Sequence, residues 1–479
     1  MYQIFLLVAS VVLLLVLISK VKLHTFLSLL IISLFLGIAG GIPIYRLPGE
    51  IATGFGSVMQ GIGIIIVVGI IIGEILEATG GAKVIANAIL RLVGTKRSTI
   101  ATAVTGGVVS IPVFCDAGFV VLNPAIKAMS KAAKIPYMCL VSALMMGLLT
   151  THSLVPPTPG PIAAAGILGA DVGIVMIYGI LISIPVLVIT SLWCNSGYLR
   201  RKYPEIADDN TADEGTVDST AETTDVGEGT VDNTAETTDA GEVTADSVAE
   251  SINKSLGGSD TAPSLFLSVI PILIPIILIL TRSFSRLYAS GEEAWFPFVE
   301  FFGESYIALL VGVGLAFLVP KSLTREVTDT WVSRAIKKSA EIVLITGIAG
   351  SFGLILRTIG VGDILAELIA AYNIPSILLP FIVSAVVLMA QGSATVALLT
   401  TSGIIYPLLP ALGISPELAV ISIAGGSFTG VFPQGSYFWA VTKIAGYDIK
   451  KGYVAVTLTT FVMGGVALVS IFVLSLFVS

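Results

Sequence analysis

Long apolar runs constrain this chain more than any other feature of its sequence. Four almost wholly apolar runs of 18 to 25 residues are Leu23–Ile42, Val58–Ile75, Ile174–Trp193 and Val454–Val478. About 20 such residues cross a hydrocarbon core of about 30 Å as a helix. Only 12% of the 479 residues are charged, against about 25% in soluble domains. The sequence therefore predicts an all-α polytopic protein of the cell membrane, surrounded by the lipid bilayer and without a nucleic-acid partner.

The cysteines give no sign of a metal centre or of a disulfide framework. Cys115, Cys139 and Cys194 lie within or at the ends of apolar segments, and their odd number follows no known ligand spacing. We therefore expect no metal site and no cofactor, apart from a transported coupling ion.

An acidic segment of low complexity divides the chain. Residues 204–262 hold 16 of the 32 acids and one base, Lys254, and a 14-residue unit that begins at Thr216 recurs at Thr230. Such a segment has too few apolar residues to fold. We predict an acidic disordered linker at 201–262, between an N-terminal repeat at 1–200 and a C-terminal repeat at 263–479.

Basic residues predict the orientation, because Lys and Arg concentrate on cytoplasmic loops. Lys20 and Lys22 place the end of the first span in the cytoplasm. Basic clusters at Lys83–Arg97 and Lys127–Lys134 flank the apolar segment 98–126 on both sides. A hairpin that enters from the cytoplasm and returns explains both clusters. This topology puts both termini outside and the acidic linker in the cytoplasm.

The two halves carry the same features in the same order. At offsets of 280 and then 277 residues the matched positions are Gly80 with Gly360, Asp116 with Ser393, Pro156 with Pro433, and Asp171 with Asp448. Each half predicts a re-entrant hairpin, at about 98–126 and about 376–410. Each also predicts a transmembrane helix broken by Pro or Gly, at about 136–170 and about 417–445.

The two halves differ in where their basic residues lie. Gly80–Lys134 holds seven Lys and Arg residues, whereas Thr358–Thr442 holds none. The second hairpin should therefore enter from outside. Two inverted repeats of five spans, with about ten full spans plus two hairpins, are typical of secondary transporters.

Polar residues should converge where the hairpin tips meet the broken helices near the bilayer centre. We expect Thr150–Pro161 to be non-helical, because its four prolines remove donors and clash with the preceding turn. The predicted substrate-binding residues are Asp116, Asn123, Thr150, Thr151, His152, Ser153, Ser393, Thr395, Ser427, Thr429 and Gln434. This set includes no Lys or Arg, so helix N-termini would supply the positive potential for a small organic anion bearing hydroxyls.

Two residues of this set are candidates for proton coupling. Asp116 either caps the second hairpin arm or carries a proton, since an acid at membrane depth is by default functional. A neutral Asp116 would admit a substrate carboxylate, and an ionised one would repel it. His152 is the other candidate, with a hydrogen-bonded core histidine as the alternative. For Glu74 and Glu77, structural pairing or an interface position is favoured.

Four stretches resemble the gluconate permease family of proton symporters, and the resemblance extends over nearly all of the chain outside the acidic segment. They are Gly54–Ala82, Val108–Pro124, Thr150–Pro161 and Gly430–Trp439. The resemblance implies uptake of gluconate or a related sugar acid by proton symport, with elevator-type alternating access. Some members take D-serine or other small hydroxy acids. The resemblance also implies a homodimer.

The family's substrate site maps here onto Asp116, Thr150–Ser153, Ser393–Thr395 and Ser427–Thr429. Sodium-coupled uptake of another carboxylate is the alternative transport function, although no cluster of acids at the breaks favours a sodium site. An intramembrane enzyme would need paired acids or a metal triad at membrane depth, and the sequence offers neither. We therefore expect no enzymatic activity.

Overall fold

The computed structural model describes residues 2–93, 98–207, 263–288, 293–360 and 375–478, and every regular element in these ranges is helical. The helices are α1 Tyr2–Ser19, α2 Thr25–Ala39, α3 Leu47–Ala78, α4 Gly81–Val93, α5 Ser98–Val109, α6 Cys115–Ala133, α7 Tyr137–Leu154, α8 Pro159–Leu168, α9 Val172–Cys194, α10 Gly197–Lys202, α11 Leu265–Tyr288, α12 Phe296–Gly303, α13 Ser305–Ala316, α14 Val332–Thr358, α15 Leu378–Gln391, α16 Ala394–Ile405, α17 Leu409–Leu412, α18 Pro416–Gly426, α19 Ser436–Ile444, α20 Ile449–Gly452 and α21 Thr459–Val478.

Several of these helices are long and apolar enough to cross a membrane. The described ranges contain seven helical stretches of this kind, some of which join consecutive helices such as α7 and α8, and the bent pair α12 and α13 would make an eighth. Large apolar side chains such as Phe5, Val469 and Phe477 lie exposed on the outside of the helices. Exposed apolar surface on this scale is typical of a protein that contacts lipid.

The predicted acidic linker begins beside the first hairpin. The Tyr137 backbone N–H donates to the Glu205 carbonyl at 2.9 Å, and the Ala207 N–H donates to the Ser130 hydroxyl at 3.2 Å. Lys451 Nζ lies 3.3 Å from Glu205 Oε1. Residues 208–262 of the predicted linker lie outside the described residues.

Helices α3 and α14 pack antiparallel against each other. Gly54, near the start of α3, contacts the backbone of Ser351 near the end of α14. At the other end, Glu74 lies 3.1 Å from Arg334 and 2.6 Å from Lys338. The side chain of Glu74 is only 3% exposed. The structural pairing predicted for Glu74 is confirmed.

The first predicted hairpin consists of α5 and α6, joined by a turn at 110–114. Phe114 is the N-cap of α6 and makes no side-chain cap bond, and Asp116 lies in the first helical turn. The interpretation of Asp116 as the N-cap is therefore wrong by two positions. Its carboxylate still lies near the positive end of the helix dipole.

The first broken helix ends later than the sequence predicts. Helix α7 continues to Leu154, and only Val155–Thr158 interrupt it before α8. The expectation that all of Thr150–Pro161 is non-helical was wrong for Thr150–Leu154 and for Pro159–Pro161. A proline removes its own N–H, so the residues before Pro156 still donate to carbonyls of the preceding turn. Pro159 starts α8, where a missing N–H costs nothing.

The second hairpin and the second break meet at two glycines. Helix α15 ends at Gln391, Gly392 has φ +82°, and Ser393 caps α16 by accepting a hydrogen bond from the Val396 N–H at 3.4 Å. Residues 427–435 separate α18 from α19. A Cβ on Gly392 would collide with the backbone of Gly435, and a Cβ on Gly435 would collide with that of Gly392. Glycine is required for this close approach.

Candidate substrate site

A cavity of about 540 Å³ lies between the two hairpin turns. Small-molecule sites commonly have volumes of about 300–1,000 Å³. Five parts of the chain form its walls: the first turn (Phe114–Ala117), the second turn (Gly392–Val396), α7 (Leu149, His152), the second break with α19 (Val431, Ser436, Tyr437), and α14 (Lys337, Lys338, Glu341, Ile342, Ile345). Two residues of α15 and α16, Leu388 and Leu399, complete the wall.

Three helices begin at the cavity wall. The first residues of α6, α16 and α19 are Cys115, Ala394 and Ser436, and all three line the cavity. The first N–H groups of a helix have no partner within the helix, and the helix dipole makes that end positive. The cavity therefore favours an anion even where its wall lacks a basic side chain.

His152 and Thr395 join the two halves of the chain across the cavity. His152 Nε2 lies 3.4 Å from Thr395 Oγ1, and the Phe114 ring lies 5.8 Å from the imidazole, centroid to centroid. His152 is 5% exposed, and its Nδ1 has no hydrogen-bond partner within the described part of the chain. A second cavity of about 20 Å³ adjoins the ring on the side of Thr158, which is room for one water molecule.

Asp116 opens into the same cavity from the first hairpin turn. Its side chain is exposed there, although the turn itself lies among buried apolar residues. Within the described ranges no ion pair involves Asp116. The carboxyl group is therefore free to meet a bound molecule or a proton, as a cap or a structural ion pair would not be.

Four of the predicted site residues thus line one cavity: Asp116, His152, Ser393 and Thr395. Three neighbours of His152 do not. Thr150 Oγ1 donates to the Met146 carbonyl at 2.7 Å, and Thr151 Oγ1 donates to the Gly107 carbonyl at 2.6 Å. Ser153 is fully buried, and its hydroxyl has no partner in the described ranges.

The other predicted residues also lie outside the cavity wall. Asn123 accepts a hydrogen bond from the Tyr137 hydroxyl at 2.5 Å. Ser427 and Thr429 are buried, and each donates to a carbonyl of its own turn at 2.8 Å. Gln434 is exposed and donates to the Met389 carbonyl. These hydroxyls and amides thus bond to other groups of the protein and not to the cavity.

Sequence reasoning missed the contribution of α14. Lys337, Lys338 and Glu341 line the cavity, although we expected no Lys or Arg at the site. The signal that the sequence offered was the four-residue spacing of residues 337, 341 and 345. Residues at this spacing lie on one face of a helix, which can face a neighbouring element. Nothing in the sequence indicated that this neighbour would be the two hairpin turns.

The comparison with known proteins decides the family. A model described as GntP family permease matches residues 2–230 and 231–477. The chain belongs to the GntP permease family. It is a multi-pass membrane permease, and it is not an enzyme.

Relatives of this sequence include several bacterial permeases. An uncharacterized permease of Haemophilus influenzae is 33% identical over 98% of this chain and 91% of its own length. The high-affinity gluconate transporter of Escherichia coli is 29% identical over 90% of this chain and 89% of its own length. The D-serine transporter DsdX of Escherichia coli is 28% identical over 98% and 97%.

A solved structure shares the fold. MtrF of Neisseria gonorrhoeae, described as illuminating a class of antimetabolite efflux pumps, superposes with a TM-score of 0.65 over 96% of both chains. Its sequence identity to this chain is 14%, so the similarity concerns the fold alone.

Proposed function

We propose that this permease imports gluconate or a related sugar acid by proton symport. The observation that carries the proposal is the cavity between the two hairpin turns, where three helix N-termini meet His152, Ser393 and Thr395. Helix N-termini favour a carboxylate, and hydroxyls and an imidazole suit the hydroxyls of a sugar acid. A relative named for gluconate supports the same substrate class.

The coupling proton is assigned to Asp116, with His152 as the second candidate. Asp116 faces the cavity without an ion-pair partner in the described ranges. When it is ionised, it repels a substrate carboxylate, and when it is neutral, it accepts one nearby. Proton and substrate therefore favour each other's binding. No other coupling ion is required by this scheme, although sodium coupling is the alternative to test.

Two inverted repeats and an elevator-type motion complete the proposal. Gly80 and Gly360 both have positive φ, +76° and +74°. Asp171 and Asp448 each cap a helix by accepting a hydrogen bond from the N–H three residues later. These pairs lie at the offsets at which the two halves of the sequence match, and they support a common origin of the halves.

The proposed topology has ten spans and two hairpins. It takes α7 with α8, and α18 with α19, as broken spans, and α5 with α6, and α15 with α16, as re-entrant hairpins. Both termini lie outside, and residues 201–262 lie in the cytoplasm, because Arg200, Arg201 and Lys202 end α10. We also propose a homodimer, as the family resemblance implies.

Purified protein in proteoliposomes tests the function. We expect radiolabelled gluconate to accumulate when an inward proton gradient is imposed without sodium. Accumulation that requires a sodium gradient and ignores the proton gradient would establish the alternative coupling. If gluconate is not taken up while D-serine or another hydroxy acid is, the substrate assignment is wrong and the transport function stands.

A further inference from the structure

Of the two lysines in the cavity wall, only one is committed to an ion pair. Lys338 Nζ lies 2.6 Å from Glu74 Oε2 and 3.6 Å from Glu77 Oε2. Glu74 is nearly fully buried and would be left uncompensated without its partners, which is strongly unfavourable. Lys338 is therefore held by α3. Lys337 has no ion-pair partner within the described ranges and is exposed at the cavity.

The neighbouring acid is also engaged elsewhere. Glu341 lies one turn beyond Lys337 on α14, and its Oε1 is 3.4 Å from His24 Nε2. This contact is exposed on both sides, with side-chain exposures of 54% and 65%, so it is weak. It nevertheless turns the carboxylate toward the loop between α1 and α2. Of the two ammonium groups on this part of the wall, that of Lys337 forms no ion pair within the described ranges.

We propose that Lys337 captures the substrate carboxylate at the cavity and orients the bound molecule. The inference rests on the proposed function of the site and adds a specificity-determining residue on a different helix. An ammonium is a compact point charge on a flexible stem, so it can follow a carboxylate as the molecule settles. The carboxylate lies toward α14, and the hydroxyl-bearing end lies toward Thr395 and His152.

The proposed orientation explains how an acid and a basic residue can share one site. Asp116 belongs to the first hairpin turn, whereas Lys337 belongs to α14. A substrate carboxylate held by Lys337 still meets the charge of Asp116 within the same cavity, so it binds better when Asp116 is neutral, as the proposed coupling requires. Uncharged polyols lack the carboxylate that Lys337 recognises, so Lys337 favours sugar acids over uncharged polyols of the same size.

Equilibrium binding of radiolabelled gluconate to the purified protein in detergent tests this role. We expect Lys337→Gln to weaken binding about tenfold, since hydrogen bonds to charged groups are the strong ones. Lys337→Arg should retain most of the affinity. Lys443→Gln is the matched control, because Lys443 is exposed and lies outside the cavity wall. Equal affinity of Lys337→Gln and the wild type would overturn the proposal.

A second readout does not depend on the identity of the substrate. Ala117 lines the cavity, and Ala117→Cys in a Cys115→Ala background places one reactive thiol there, since Cys139 and Cys194 are fully buried. The ratio of its labelling rates with an anionic and a cationic methanethiosulfonate measures the local potential. We expect Lys337→Gln to lower this ratio several-fold and Lys443→Gln to leave it unchanged.

The two readouts separate the two proposals. A lowered labelling ratio in a protein that binds no gluconate would support the role of Lys337 and contradict the assigned substrate. An unchanged ratio in a protein that does bind gluconate would refute the role of Lys337 and leave the transport function intact.

Discussion

The two broken helices, α7 with α8 and α18 with α19, use the polar residues at their breaks in different ways. The first break follows a fully buried helix, and Thr150 and Thr151 donate to backbone carbonyls. Of its polar residues only His152 lines the main cavity. The second break lies against the second hairpin turn through Gly392 and Gly435, and Ser436 lines the cavity. A polar residue at a break is therefore not by itself a substrate ligand.

Helix phase accounts for the difference at the first break. Because α7 remains helical to Leu154, successive residues point in different directions. Leu149 and His152 are three residues apart and share the face toward the cavity. Thr150, Thr151 and Ser153 fall on other faces. Backbone geometry before a proline therefore selects which side chains reach the site.

The largest effect is expected at the glycine contact of the second break. Gly392→Ala combines a left-handed φ with a collision against Gly435, so we expect destabilisation above about 4 kcal/mol and loss of the monodisperse protein. Gly413→Ala is the control, because Gly413 has φ +62° but open space around it. Size-exclusion profiles after heating compare the two. Similar profiles would show that φ strain alone matters.

The next effect concerns the pair α3 and α14, which holds Lys338 in place. Glu74→Gln removes the buried partner of Lys338 and Arg334, and we expect a loss of about 1–3 kcal/mol, since both bases are partly exposed. Glu77→Gln should cost less, because Glu77 is 30% exposed with one contact at 3.6 Å. Thermal unfolding followed by a thiol-reactive dye measures both. An equal loss of stability in Glu74→Gln and Glu77→Gln would show that the burial of Glu74 does not strengthen its ion pairs.

A matched pair of threonines tests the comparison of the breaks directly. Thr395→Val removes the hydroxyl opposite His152 and should weaken gluconate binding about tenfold. Thr150→Val makes the same change within α7, where the hydroxyl only donates to the Met146 carbonyl, and should leave binding almost unchanged. Binding to purified protein measures both. A larger loss for Thr150→Val would mean that the first break does reach the substrate.

The sequence was sufficient for much of the fold. Hydrophobic runs predict the long helices, and the turns at 110–114 and 392–393 lie near the centres of the two segments predicted as hairpins. The ends of the helices were less predictable. A count of prolines did not reveal that α7 would continue to Leu154, because Pro156 disfavours helical geometry mainly at the residue before it, the extended Val155, and earlier residues keep their N–H donors.

The site was only partly predictable for a similar reason. Asp116, His152, Ser393 and Thr395 share one cavity, as the matched halves suggest. Asn123, Ser427 and Thr429 have the same chemistry, but Ser427 and Thr429 bond within their own turn and Asn123 bonds to Tyr137. Lys337 comes from a helix that contains no break or hairpin. Its place at the cavity depends on how α14 packs against α16, which periodicity alone does not reveal.

We propose above that Asp116 carries the coupling proton. The most direct test compares wild type with Asp116→Asn in proteoliposomes, with Asp329→Asn as a control, since Asp329 is exposed and outside the cavity. We expect wild type and the control to accumulate gluconate under an inward proton gradient. Asp116→Asn should exchange internal for external gluconate without accumulating it. Equal accumulation by Asp116→Asn and wild type would contradict the claim and direct attention to His152.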